Sequence, residues 1–197
     1  MNKQIEANLI ERIIKGDEDA FSDFYRIYRD RVYGFAYRMT IDRAVAEDIT
    51  HEVFISVIEE PGRFESERGS LLTFLCAIAR NKMMNYLRLK HNSDVGFDDF
   101  ENFDAPEDSS QYNSPLKILL NRELAEQVHI CIASLPPLQR EAIILRQFQE
   151  LSYEEIARVT ETDLSAVKAR LHRARQNLAI QLAGYVKLQK EKDYELC

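Results

Sequence analysis

Residues 151–178, LSYEEIARVTETDLSAVKARLHRARQNL, decide the reading of this chain. Ser152 followed three residues later by Glu155 is a capping box, which predicts a helix from about Tyr153 to Val159. Ile156 and Ala157 supply its apolar side, and a short polar turn runs from Thr160 to Asp163. A longer helix, Leu164 to about Ala183, then keeps Val167, Leu171, Ala174 and Leu178 on one stripe. Short helix, tight turn, long basic helix is the helix-turn-helix pattern, although its turn has no glycine. The second helix carries Lys168, Arg170, His172, Arg173 and Arg175, expected on its solvent side, with small Ser165, Ala166 and Ala169 near its start. Small residues let a helix N-terminus approach base edges in a major groove, while Arg and Lys read guanine or hold phosphate. The plain alternative is a solvated basic face. An acid-free run this long, on the second helix of such a pair, favours DNA binding.

Outward from that pair, the C-terminal part reads as helical from about Leu116 to Ser134 and Leu138 to Gln149. The N-terminal part reads as four helices. Ile5, Leu9, Ile10, Ile13 and Ile14 mark the first, stopped by Gly16. Asp17 caps the second, which carries Phe21, Phe24, Tyr25, Tyr28, Val32, Phe35 and Ala36 to about Met39. Asp42 starts the third along Val45, Ile49, Val53, Phe54 and Val57, ended by Pro61-Gly62. After the loop RFESERGS, the fourth carries Leu71, Leu75, Ile78, Ala79, Met83 and Leu87. Such stripes are core before they are anything else.

The net charge of -7 looks wrong for a nucleic-acid binder, but it is unevenly spread. Residues 1–90 and 116–197 are each within one charge of neutral, and the excess comes from seven acids among residues 91–115, where no Lys or Arg occurs. Between Glu67 and Asp94 every charge is positive, and likewise between Asp163 and Glu191. Two basic islands flank an acidic strap, a distribution that speaks to partners where the sum does not. The strap, HNSDVGFDDFENFDAPEDSSQYNSP, lacks any apolar period and reads as a linker. Its Phe97, Phe100, Phe103 and Tyr112 leave open a second reading, ordering in a basic groove of a partner.

The expected fold class is all-α: two small helical domains, residues 1–90 and 116–183, joined by the acidic flexible linker 91–115 and followed by a tail, 184–197. Six glycines and five prolines are too few for a many-stranded sandwich or barrel. The start, MNKQIEANLIER, carries charge where a signal peptide needs an apolar stretch, and the longest charge-free apolar run, Gly69 to Ala79, is about half a membrane span. Cys76, Cys131 and Cys197 are an odd set at wide spacing, against a disulfide framework. These features set the expectation of a cytoplasmic protein without membrane insertion.

The first basic island, RNKMMNYLRLK, mixes Arg80, Lys82, Arg88 and Lys90 with Asn81 and Asn85, two amides one turn apart on one face. Phe64 and Phe74 flank the loop just before it. Rings that stack on bases and cations that track phosphates suit single strands, and a surface helix beside core phenylalanines stands equally open. Asp48, His51 and Glu52 share a polar face of the third helix, which by itself is solvated surface. No nucleophile–base arrangement can be proposed from spacing, His129-x-Cys131 lacks further ligands at zinc spacing, and no Gly-rich phosphate loop occurs. No enzyme activity, metal or cofactor is expected.

Together these segments resemble the sigma-70 family of bacterial transcription initiation factors, and within it the compact extracytoplasmic-function (ECF) group. The resemblance rests, in order, on GDEDAFSDFYRIYRDRVYGFAYRM, AEDITHEVFISVIEE, RFESERGS, LLTFLCAIARNKMMNYLR and LPPLQREAIILRQFQELSYEEIARVTETDLSAVKARLHRARQNL. It implies sigma region 2 over residues 1–90 and region 4 over residues 116–183. It implies that Asp48, His51 and Glu52 dock on the clamp coiled coil of the RNA polymerase beta-prime subunit, with the beta subunit a further contact. It implies that the loop Phe64 to Ser70, including Ser66, with Phe74, Asn81, Lys82, Asn85 and Arg88, captures the unpaired -10 strand. The family usually has Trp where this chain has Phe74, and commonly Asp where it has Asn85. Ser165, Lys168, Arg170, His172, Arg173 and Arg175 match the helix that reads the -35 duplex. The linker matches the segment threaded along the RNA exit path. A cognate anti-sigma inhibitor and a monomeric free state are also implied. The other reading is a stand-alone helix-turn-helix regulator, which would usually dimerise, and no heptad or other dimerisation signal is present apart from the short tail after Gly184.

Overall fold

In the computed structural model, residues 3–92 and 115–195 are described, and every regular element among them is helical. Four helices come first: α1 (Lys3–Ile14), α2 (Glu18–Thr40), α3 (Arg43–Glu59) and α4 (Leu71–Asn92), with a single 3-10 turn at Pro61–Arg63. Four follow: α5 (Pro115–Ala133), α6 (Pro137–Gln147), α7 (Tyr153–Thr160) and α8 (Leu164–Glu195). The linker and the end of the tail, including Cys197, lie outside the described residues.

The helix starts follow local chemistry. Asp17 accepts from the Ala20 N–H at 3.0 Å and Asp42 from the Val45 N–H at 3.1 Å, each satisfying a first-turn donor. Gly16 takes a positive φ of 80° just past α1, a conformation open to glycine at no cost. Ile41 takes the same left-handed region after α2, with its N–H returned to the Tyr37 carbonyl at 2.8 Å. A β-branched residue is strained there, and the close restart of α3 at Arg43 imposes it. One expectation fails: α8 does not stop at Ala183 but continues to Glu195 through Gly184. Gly184 keeps a negative φ, and its helix penalty of about 1 kcal/mol is outweighed by the Ala, Leu, Gln, Lys and Glu around it.

The expected apolar stripes supply the core, except that Ile5 and Ile14 of α1 are exposed. Phe24, Val32, Phe35, Ala36, Met39, Val53, Leu71, Leu75 and Met83 are buried where α2, α3 and α4 meet. Phe24 and Phe54 pack edge-on with ring centres 5.1 Å apart. Cys76 is fully buried here, and burial pushes its thiol up to about 12, so it packs as an apolar residue. At the start of α1, Glu6 is buried and takes two donors, the Tyr28 hydroxyl at 3.2 Å and the Leu71 N–H at 2.9 Å. It ties α1 to the start of α4, a role that amphipathic periodicity does not reveal.

The two halves are docked on each other. α6 packs on α2, α7 on α4, and one apolar cluster runs through both halves. The junction is nonetheless rich in charge. Arg140 donates to the Met39 carbonyl at 3.1 Å, to the Leu135 carbonyl at 3.2 Å and to the Ala133 carbonyl. Arg31 donates to the Gln149 carbonyl at 2.9 Å, and the Gln149 amide returns a bond to the Arg31 carbonyl at 3.0 Å. The Arg38 guanidinium lies 4.2 Å over the Phe148 ring, whose other neighbour is His129 at 6.1 Å.

Burial, with the Arg38 charge adding to it, holds the His129 imidazole down to about 4. The unfolded chain would take a proton near pH 6.5 that the folded chain refuses. Stability from this group is therefore complete above about pH 6.5 and is lost as the pH falls towards 4. Urea midpoints measured at pH 7 and pH 4.5 should fall for the native chain, and fall less for His129→Gln.

Candidate nucleic-acid interface

The helix-turn-helix forms as its residues direct. Ser152 accepts from the Glu155 N–H at 3.2 Å while Glu155 accepts from the Ser152 N–H at 2.9 Å, so the capping box is closed on both sides. In place of a glycine, Glu161 takes the left-handed conformation, φ 53°, with its N–H directed to the Ala157 and Arg158 carbonyls. Asp163 then caps α8, accepting from the Ala166 N–H at 2.7 Å and from the Ser165 hydroxyl at 2.7 Å. Those two bonds hold its carboxyl below the usual value. A sequence search for Ser/Thr/Asp/Asn before the stripe finds this cap, yet the residue first reads as turn.

Val167, Leu171 and Ala174 bury one side of α8 against α6 and α7. Ser165, Lys168, His172, Arg173 and Arg175 are exposed. Arg170 is a correction to the expectation of a solvent-side residue. It stands three residues after Val167 and four before Ala174, at the edge of the buried stripe, its Nη1 is buried without a hydrogen-bond partner, and its charge acts on Glu141. Lys168, His172, Arg173 and Arg175 with Ser165 thus form the exposed face, and Arg170 lies at its half-buried border.

The second candidate face lies on α4 and the loop before it. Asn81, Asn85 and Arg88 are exposed and lie at i, i+4 and i+7, one line along the helix. Phe64 and Phe74 are half-buried, ring centres 5.7 Å apart at 56°, and Ser66 is half-buried in the loop between them. A cleft of about 530 Å³ opens there, with Phe64, Arg68 and Phe74 on one wall and Arg158 and Val159 of α7 on the other. Residues absent from the sequence-based set stand beside it. Ser70, just before α4, and Thr73, in its first turn, donate their hydroxyls to Glu155 at 3.2 and 2.9 Å. Arg80 donates to Glu141 at 2.7 Å, with exposures of 15% and 0%. Burial pushes the Glu141 carboxyl up, and Arg80 opposes that shift. For Glu155, partial burial opposes the charged form, but bonds from Ser152, Thr73 and Ser70 outweigh it and leave the carboxyl below its usual value.

Asp48, His51 and Glu52 are all exposed on α3. Lys82 is tied to Glu52 at 3.0 Å, so the structure joins two residues that sequence reasoning gave to different partners. Ile55 and Ile58 are also exposed on α3, one and two turns beyond His51. A polar–apolar strip of this kind suits a protein partner. It escaped notice because isoleucine on a helix is counted as core.

The family model for Sigma-70 region 2 matches residues 24–92, and that for Sigma-70, region 4 matches residues 125–178. The chain is 32% identical over 180 residues to the RNA polymerase sigma-H factor of Pseudomonas aeruginosa, covering 89% of this chain and 93% of that protein. It is 33% identical over 172 residues to the ECF RNA polymerase sigma-E factor of Escherichia coli strain K12, covering 85% and 89%. The fold is similar to that of the sigma factor RpoE solved with the anti-sigma factor NepR from Bartonella quintana, with TM-score 0.67, 22% identity and coverage of 83% and 96%. It is similar to CnrH, solved with the cytosolic domain of CnrY, with TM-score 0.66, 21% identity and coverage of 91% and 97%.

Two stability outcomes test this geometry. Arg80→Ala leaves the Glu141 carboxylate buried without its cation and should cost about 3 kcal/mol in urea unfolding, whereas Lys82→Ala, breaking an exposed pair, should cost under about 1 kcal/mol. Equal losses would rank the two pairs alike. Glu161→Gly should raise stability by roughly 0.5–1 kcal/mol, because glycine relieves the left-handed strain at the turn.

Proposed function

Because the chain belongs to the sigma-70 family, and within it to the ECF group, we propose that it binds core RNA polymerase, directs it to promoters through -35 and -10 elements, and assists melting of the -10 duplex. The observation that carries this reading is the pairing of two different nucleic-acid faces on one chain. One is the exposed basic side of α8 behind a closed helix-turn-helix. The other is the aromatic and amide face of Phe64, Phe74, Asn81 and Asn85. A duplex reader needs only the first. A protein that also holds an unpaired strand needs the second, since rings and amides engage bases freed from their partners.

The assignment runs as follows. Residues 1–90 act as region 2 and residues 116–183 as region 4, with 91–115 the linker between them. Ser165, Lys168, His172, Arg173 and Arg175 contact the -35 element, with Arg170 holding the helix from its buried side. Phe64, Ser66, Phe74, Asn81, Asn85 and Arg88 hold the -10 strand, and Lys82 approaches it while bridging to Glu52. Asp48, His51 and Glu52, extended by Ile55 and Ile58, dock on the beta-prime clamp coiled coil. Capturing flipped bases costs a few kcal/mol of unstacking, which pocket and phosphate contacts must offset. The chain catalyses no step itself and acts in the cytoplasm, where core polymerase is. A cognate anti-sigma inhibitor belongs to this reading, and the Bartonella fold neighbour was solved with one. The stand-alone regulator is not favoured.

Run-off transcription with purified core polymerase on a pool of promoter fragments should give new, discrete starts that depend on this protein. Lys168→Ala with Arg173→Ala should lower transcription at least tenfold, each lost duplex contact being worth about 1 kcal/mol or more, while polymerase binding persists. An equal loss of polymerase binding would overturn the role given to α8.

A further inference from the structure

Three donors of the N-terminal half hold carboxylates of the C-terminal half. Ser70 ends the 64–70 loop, Thr73 stands in the first turn of α4, and both hydroxyls reach one oxygen of Glu155, Oε1. The other oxygen of Glu155 caps its own helix through the Ser152 N–H, so a single side chain ends α7 and clasps α4. Seven residues beyond Thr73, Arg80 holds Glu141, whose Oε2 is buried with no hydrogen-bond partner. Ser70 and Thr73 flank the aromatic cleft and Arg80 immediately precedes Asn81. Hydroxyls in a helix first turn and a guanidinium are also the donors that bind phosphate oxygens. A carboxylate offers them the same charge and the same oxygen acceptors.

The docking has the character of a contact made to be released. Replacing buried ion pairs by apolar residues commonly strengthens a junction, so Arg80 with a half-satisfied Glu141 is poor glue for a permanent one. Polar junctions between halves of a chain resemble transient interfaces. α7 also forms one wall of the cleft that holds Phe64 and Phe74, so the docked half narrows the approach of a strand to those rings.

We propose that Ser70, Thr73 and Arg80 are phosphate-binding positions for the unpaired promoter strand, and that in the free chain Glu155 and Glu141 occupy them as intramolecular substitutes for strand phosphates. Docking of region 4 and capture of the strand then exclude one another. This rests on the region 2 reading above and adds residues and a competitor to it.

The test is fluorescence anisotropy of a dye-labelled, mixed-sequence single-stranded DNA with the full chain. Glu155→Gln keeps the helix cap, since glutamine serves at that position, and removes the charge. It should bind the strand roughly 5- to 10-fold tighter than the native chain, the scale of a lost charge-assisted contact. Glu141→Gln should move affinity in the same direction. Adding Ser70→Ala and Thr73→Ala to Glu155→Gln should remove the gain. Affinity unchanged in both single variants, or a triple variant as tight as Glu155→Gln, would overturn the proposal. Run-off transcription with core polymerase, done in parallel, separates the premises. Absence of protein-dependent starts with the native chain sinks the sigma reading, while the anisotropy series still decides what the carboxylates do.

Discussion

The guanidinium of Arg140 joins the ends of two helices. Its donors meet the Met39 carbonyl in the last turn of α2 and the Ala133 and Leu135 carbonyls where α5 ends. The final carbonyls of a helix have no partner within it, and they carry the negative end of its dipole. A cation placed between two such ends satisfies both and fixes the angle at which the halves meet. Arg140 is only 9% exposed, so water cannot replace it. Burial lowers the tendency of Arg140 to hold its proton, yet these carbonyls are compensation of the kind a buried cation requires. The residue next to it, Glu141, faces the other way, to Arg80. Two adjacent residues of α6 thus grip α2 and α4 with opposite charges.

That grip decides which faces are open. It brings α7 against the start of α4 and closes one wall of the aromatic cleft, and it leaves Lys168, His172, Arg173 and Arg175 outside. The Asp48–Glu52 strip with Ile55 and Ile58 also faces outwards on α3. A chain docked in this way leaves the basic side of α8 and the strip on α3 open, while α7 lines the aromatic cleft beside α4.

Much of the fold was legible because its helices are amphipathic and capped by local residues. Asp17, Asp42 and the Ser152–Glu155 box start their helices where the sequence placed them, and the apolar stripes form the core apart from the exposed Ile5 and Ile14 of α1. The candidate faces on α4 and α8 were legible for the same reason, since spacing fixes which residues share a side. Arg170 was misplaced because it stands at the border of the buried stripe, where periodicity alone does not say which way a long side chain turns. Glu6 was missed because a carboxylate among isoleucines reads as the polar side of its helix, while its donors, Tyr28 and Leu71, lie far along the chain. α8 overran its expected end because a lone glycine among strong helix formers weakens a helix without ending it.

The sequence by itself determined the helices, their order, their buried sides and the family, since each depends on residues within a few positions of one another or on motifs in a row. Only the tertiary structure decided how the halves meet. That depends on single polar contacts between distant positions, Arg80 with Glu141, Arg31 with Gln149, Thr73 with Glu155 and Arg140 with Met39. Each of these side chains, read alone, is an ordinary surface charge, amide or hydroxyl, and Met39 takes part only through its backbone carbonyl. Their energies come from burial and geometry that no local pattern encodes, because a charge becomes a structural element only when another part of the chain removes its water.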